Sequence, residues 1–143
     1  MKTKLITQDK EKTHAIIFDN DDEFMHGMQS FAEEQGISAA HFTAIGAFSK
    51  TTLGYYDMDK KEYQKIPVNE QVEALSLIGD IALKGEEVEI HAHLVAGKSD
   101  GSTVGGHIME AYVRPTLEVM LTESPSHLQR KVDQNSGLAL ISI

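Results

Sequence analysis

The amino-acid sequence predicts an α+β fold, a largely antiparallel sheet with one main helix packed on it. Two observations support this prediction. One amphipathic segment with a helical period lies near the N-terminus, and short runs of strand character fill most of the chain after it. The connections between those runs are short, which favours antiparallel pairing because parallel pairing needs long crossovers.

The first two predicted elements are a strand and the main helix. Residues 14–18 are β-prone and end at Asp19-Asn20-Asp21, a cluster that turns the chain and offers oxygens for helix capping. Apolar side chains then recur at i, i+4 and i+7 over residues 22–35, and Gly36 follows where a left-handed cap is expected. These apolar positions are Phe24, Met28 and Phe31. We interpret them as core positions, because any amphipathic helix on a sheet shows such a stripe.

Strands are predicted for most of the remaining chain. They cover residues 41–48, 53–57, 72–81, 88–96, 108–113, 116–122 and 138–143. The segments 57–60 and 84–87 have the composition of hairpin connections. The region between residues 124 and 132 leaves room for a short second helix.

Length, charge and cysteine content exclude several classes of protein. A chain of 143 residues fits a single domain over residues 1–143. Its net charge of −9 makes direct DNA binding unfavourable, because non-specific binding depends on Lys and Arg neutralising phosphates. With no cysteine, any metal must be held by His and carboxylate. The N-terminus lacks the long apolar core of a signal peptide and no long apolar run follows, so we expect a cytoplasmic protein without a membrane segment.

Three histidines form the most informative pattern in the chain. Side chains two apart on a strand point to one face, about 6.6–6.8 Å apart, so His91 and His93 would share a face. His107 follows a Gly-rich loop, and Gly105-Gly106 before it permits close backbone approach. We interpret that loop as a hairpin connection that positions His107, since it lacks the order of a phosphate-binding P-loop. Neutral imidazole is a metal ligand, so the pattern predicts a site of zinc type.

A second interpretation of the same residues stays open at this stage. Two histidines inside an apolar strand could be core residues hydrogen-bonded to carbonyl groups. Glu89 and Glu110 are the carboxylates nearest in sequence. Glu89 lies on the ligand face by parity, so it is the candidate catalytic or orienting residue, and its alternative role is that of a solvated strand-end carboxylate.

The chain resembles the plants-and-prokaryotes-conserved (PPC) domain family over nearly its whole length. The motifs that carry the resemblance are Leu75-Ser76-Leu77-Ile78-Gly79-Asp80-Ile81, His91-Ala92-His93, Gly105-Gly106-His107-Ile108, and Ala44-Ile45-Gly46-Ala47-Phe48 after the helix. The resemblance implies a compact α+β domain, a homotrimer, and a metal held by His91, His93 and His107. Plant members act beside AT-hook arms on DNA, but Val113-Arg114-Pro115 lacks the basic glycine motif of such an arm.

Three functional hypotheses follow. In the first, the histidines hold Zn²⁺ or another divalent metal, and an open position takes water or a small anionic ligand. In the second, the chain is an oligomeric assembly module or a regulatory module associated with DNA binding, and its metal is structural or absent. This hypothesis is motivated by residues 138–143, a predicted strand that could pair with another subunit at the edge of the sheet. The third is DNA binding through loops of an oligomer.

Overall fold

The protein, described here from a computed structural model, is built from nine strands and one helix over residues 2–8, 11–124 and 128–142. In chain order the elements are β1 (Lys2–Gln8), β2 (Lys12–Phe18), α1 (Phe24–Gln35), β3 (Ala39–Asp57), β4 (Glu62–Val68), β5 (Val72–Lys84), β6 (Glu87–Gly97), β7 (Thr103–Glu123), β8 (Gln129–Val132) and β9 (Ala139–Ser142). No helix in this described part of the chain has the length and apolar character needed to span a membrane.

The predicted α+β class is wrong, because the fold is largely a sheet with a single short helix. Strands β3 and β7 are 19 and 21 residues long, and each joins two runs that the sequence pattern separates. Shifts in the register between β3 and β7 accommodate the breaks in the apolar pattern, so each backbone continues without leaving the sheet. The sheet is also mixed, since β8 runs parallel to β5.

The predicted short second helix is also wrong where the structure describes the region. Residues 129–132 form strand β8, which pairs with β5 and β9. Residues 125–127, which the prediction also covered, lie outside the described residues.

The helix α1 lies close to its predicted bounds but begins differently. Its N-cap is Glu23, whose carboxylate accepts a hydrogen bond from the backbone N–H of His26 at 2.7 Å, in place of the preceding Asp-Asn-Asp cluster. Gly36 ends the helix with φ 66°, the predicted left-handed cap. Phe24, Met28 and Phe31 are buried in the core, as the stripe indicates.

Both predicted hairpin connections are confirmed. The first joins β3 to β4 and the second joins β5 to β6, each pair antiparallel. The Gly-rich loop likewise joins β6 to β7 as a hairpin. The pattern missed β1, β4 and β8, which are short and rich in polar residues, so their apolar alternation is weak.

Four strands form a closed circuit that positions the histidines. Strand β3 pairs with β5 and β7, and β6 pairs with the same two strands. The core-facing side chains of β6 are buried: Ile90, Ala92, Leu94 and Ala96. Because successive side chains of a strand point to opposite faces, Glu89, His91 and His93 face away from that core.

Candidate metal centre

Strand register brings the three predicted histidines together. His93 on β6 lies opposite His107 on β7, and His91 lies opposite Asp80 on β5. Close backbone approach at the β7 start is confirmed, since a Cβ on Gly106 would lie 2.8 Å from the carbonyl oxygen of Gly54. The loop and its glycines therefore place His107 beside the His-x-His pair.

The side chains of His91, His93 and His107, called here the histidine cluster, have ligand atoms within 4.8 Å of one another. The Nε2 atoms of His91 and His93 are 3.0 Å apart. Zinc binds imidazole nitrogen at about 2.0–2.1 Å, so tetrahedral donors lie about 3.3 Å apart. Small side-chain adjustments would bring all three donors to that spacing. The donor set therefore fits a divalent metal of zinc type.

The hydrogen bonding of the cluster favours metal binding over the core-histidine interpretation. Nδ1 of His107 is buried and has no hydrogen-bond partner among the described residues. None of the three rings is bonded to a main-chain carbonyl within residues 2–8, 11–124 and 128–142. An unpartnered buried imidazole nitrogen costs free energy unless a ligand satisfies it.

Burial and mutual repulsion keep two of the imidazoles neutral. Burial lowers the pKa of His107 to about 4, helped by the neighbouring His91 and His93. Burial also lowers the pKa of His91, although the nearby carboxylate of Asp80 opposes that effect. A metal ligand must be the neutral ring, so neither group has to lose a proton at neutral pH.

A carboxylate and a guanidinium stand behind the cluster. Oδ2 of Asp80 lies 3.9 Å from Nδ1 of His91, while the other ring nitrogen, Nε2, meets His93. Oδ1 of Asp80 accepts a hydrogen bond from Nη2 of Arg130, whose side chain is only 4% exposed. Histidine ligands of metals commonly donate their second N–H to a carboxylate, which fixes ring orientation. Asp80 is placed for that role.

Glu89 lies on the ligand face, as its parity predicts. Its Oε1 is 4.0 Å from Nζ of Lys84, and its Oε2 is 3.9 Å from Nε of Arg130. The side chain as a whole is 38% exposed, whereas its Oε2 is buried without a hydrogen-bond partner among the described residues. Glu110, the other nearby carboxylate in sequence, instead accepts a hydrogen bond from Tyr112 at 2.7 Å.

The cluster opens into a cavity of about 770 Å³. The three histidines and Glu89 form one side, and residues 137–140 of the C-terminal segment form another. The ring of Tyr63 lies 5.0 Å from that of His107. Burial raises the pKa of Tyr63, helped by the nearby Tyr56 and Glu89, so its hydroxyl is a hydrogen-bonding group at neutral pH.

Sequence reasoning missed the roles of three residues in this cavity. Asp80 belongs to a motif of the family resemblance, but its partner His91 follows only from strand register. Arg130 reaches the site because β8 pairs with the distant strand β5, and Tyr63 reaches it because the β3–β4 hairpin lies beside β7, which carries His107.

Comparison with known proteins gave a family and several related structures. Residues 6–125 match the model of the Plants and Prokaryotes Conserved (PCC) domain. A metal-containing protein of Archaeoglobus fulgidus is 34% identical, with full coverage of both chains and a TM-score of 0.86.

Two further solved structures are similar over most of their length. A plant- and prokaryote-conserved protein of Pyrococcus horikoshii is 31% identical, covering 99% of this chain and 95% of its own, with a TM-score of 0.86. A candidate DNA-binding protein of Bacteroides thetaiotaomicron is 25% identical, with coverage of 98% and 96% and a TM-score of 0.88. The comparison with curated proteins gave no match.

Proposed function

This chain belongs to the plants-and-prokaryotes-conserved domain family. From that premise we propose that it binds a divalent metal, with zinc as the preferred ion, through its histidine cluster. A small anionic ligand takes the remaining position at the metal. The single observation that supports this most strongly is the convergence of His91, His93 and His107, whose ligand atoms lie within 4.8 Å of one another. The metal-containing relative from Archaeoglobus fulgidus supports the same proposal.

The chemistry of the donors favours zinc over calcium or magnesium. Imidazole nitrogen suits zinc and other transition metals, whereas Ca²⁺ and Mg²⁺ prefer oxygen. Three protein ligands are typical of sites that keep a position for water or substrate. A bound zinc ion would supply a Lewis acid at that point.

The chain's own residues prepare the site in two ways. The carboxylate of Asp80 lies 3.9 Å from Nδ1 of His91, where it attracts the ring N–H, and Arg130 donates a hydrogen bond to the same carboxylate. Cationic side chains in the cavity wall attract an anion, although the whole chain carries a charge of −9.

The test is the metal content of protein purified without a histidine tag. We expect about one zinc ion per chain, and a loss of most of it in the His91→Ala/His93→Ala variant. The matched control is His26→Ala/His41→Ala, which removes two exposed histidines outside the cluster. Equal metal content in the cluster variant and the wild type would refute the proposal.

A second proposal concerns self-association, as a homotrimer. It rests on exposed apolar side chains on the sheet face that carries the histidines. In register, Met120 lies opposite Thr43, Thr43 opposite Ile78, and Ile78 opposite His93. Met120 and Ile78 are 46% and 56% exposed, and Ile45 on the same face is 65% exposed. Contiguous exposed apolar surface commonly marks an interface.

Sedimentation of the wild type and of an Ile45→Glu/Met120→Glu variant tests the assembly. We expect a trimer for the wild type and smaller species for the variant, because burying a charge at an interface is costly. Met58→Glu, at an exposed position in the β3–β4 turn, is the control and should remain trimeric. A wild-type protein that is monomeric at micromolar concentration would exclude this assembly.

A further inference from the structure

Two unpartnered polar atoms face each other in the cavity wall beside the histidine cluster. They are Nε of Arg130 and Oε2 of Glu89. Both are buried, and neither has a hydrogen-bond partner among the described residues. Their separation of 3.9 Å allows attraction between the charges but is too long for a hydrogen bond. Leaving such groups unsatisfied costs free energy, so a ligand that satisfies both would be favoured.

The arrangement around Arg130 is fixed rather than adaptable. Its side chain is 4% exposed, Nη2 donates to Asp80, and Nη1 donates to the carbonyl oxygen of Ala139 at 3.3 Å. The guanidinium therefore cannot rotate to satisfy Nε without breaking one of these bonds. Nε of Arg130 is therefore left with an N–H donor that has no partner among the described residues.

The charges of the wall favour an anion. Lys61, Lys84 and Arg130 line the cavity together with the carboxylate of Glu89. Asp80 offsets the charge of Arg130 from outside this lining, so a positive excess remains. A metal at the histidine cluster would add two further positive charges. An anion that binds here gains from this field, whereas a cation would be repelled.

The spacing limits the ligand to a few atoms. Glu89 and His91 are two residues apart on β6 and point to the same face, so their Cα atoms are about 6.6–6.8 Å apart. A ligand at the histidine cluster therefore needs only three or four bonded atoms to reach Glu89 and Arg130. The C-terminal segment bounds the cavity on another side.

We propose that the ligand is a small hydroxycarboxylate, a deduction that rests on the metal site proposed above. Its carboxylate accepts a hydrogen bond from Nε of Arg130. Its hydroxyl group donates one to Oε2 of Glu89. A simple carboxylate leaves the Glu89 oxygen unsatisfied, and the dianionic form of inorganic phosphate places a second negative charge beside that carboxylate.

The experiment is calorimetric titration of the zinc-loaded protein with glycolate, acetate and inorganic phosphate as probes. We expect glycolate to bind at least about tenfold more tightly than acetate or phosphate, the effect of one hydrogen bond to a charged group. Arg130→Lys should weaken glycolate binding about tenfold or more, because Lys lacks the fixed fork of Arg. Glu89→Gln should remove most of the preference for glycolate over acetate.

Controls separate this deduction from the metal site itself. Zinc content and melting temperature are measured for every variant. Lys98→Gln is the matched control, because it removes a surface cation that is paired with Glu70 outside the cavity. This variant should bind glycolate as the wild type does. Zinc binding without any preference for glycolate overturns the deduction and leaves the metal site standing. A protein that takes up no zinc overturns the metal site instead. If Arg130→Lys does not fold, the wild-type preference and the Glu89→Gln variant decide the outcome.

Discussion

Replacing Asp80 by Asn tests whether the residues behind the histidine cluster control it. The two carboxylate oxygens of Asp80 face different groups. Oδ1 accepts a hydrogen bond from Nη2 of Arg130, and Oδ2 lies 3.9 Å from Nδ1 of His91. The amide keeps the shape of the side chain but loses its charge, and one of its two ends becomes a donor. Both Arg130 and His91 therefore lose part of their support in Asp80→Asn.

The expected magnitudes follow from these contacts. Loss of a carboxylate that orients a metal-ligating histidine costs about 10–100-fold in metal affinity, or about 1.4–2.7 kcal/mol. Arg130 is buried, but Asp80 is 33% exposed, so water can replace part of the lost interaction. We therefore expect the metal-free variant to lose about 1–3 kcal/mol of unfolding free energy, less than the 3–5 kcal/mol typical of a fully buried ion pair.

Two measurements check these values. Zinc affinity is determined by competition with a chromophoric chelator, and unfolding free energy by urea denaturation after chelator treatment. Asp59→Asn is the matched control, since it makes the same substitution at an exposed position in the β3–β4 turn. Zinc affinity that is equal in Asp80→Asn and in the control would refute the orienting role of Asp80.

Three further predictions concern stability and partner choice. Metal-free protein should lose stability as pH falls from about 6.5 toward 4. His107 takes up a proton at its ordinary pKa in the unfolded state, whereas in the folded state its pKa is about 4. Urea midpoints measured over this pH range should therefore change less in His107→Gln than in the wild type. Gly79→Ala should cost about 1–3 kcal/mol in urea unfolding, because the new Cβ would lie 2.5 Å from the carbonyl oxygen of His91 and 2.3 Å from the ring of Phe42; an unchanged midpoint would contradict this. The chain alone should not be retained on immobilised DNA at low salt, given its charge of −9, and retention that decreases steeply with salt would contradict that expectation.

The sequence predicted where strands occur better than how far they extend. The pattern over residues 41–57 changes from alternating to polar and back, so it indicates two strands, yet β3 is continuous. The register shifts of β3 against β7 lie in this stretch. Bulges of this kind depend on the partner strand, which a local pattern does not contain. The same effect in β7 raised the strand content and made the predicted α+β class wrong.

Within the candidate site, the alternation along residues 88–96 by itself determined the facing of the histidines. A strand has a period of two, so the buried apolar residues that alternate with the histidines, Ile90, Ala92 and Leu94, fix His91 and His93 on the opposite side. Glu89 follows by the same rule, and the glycines before His107 indicated a close return of the backbone.

Only the tertiary structure decided what surrounds those rings. Asp80 meets His91 because β5 pairs with β6 in one register, and Arg130 reaches Asp80, 50 positions earlier, because β8 adds to β5 in parallel. A salt bridge between such distant positions leaves no periodic trace, since either residue alone has the composition of an ordinary polar surface. Local alternation therefore determined which face carries the imidazole donors, and long-range strand pairing determined which charged side chains surround them.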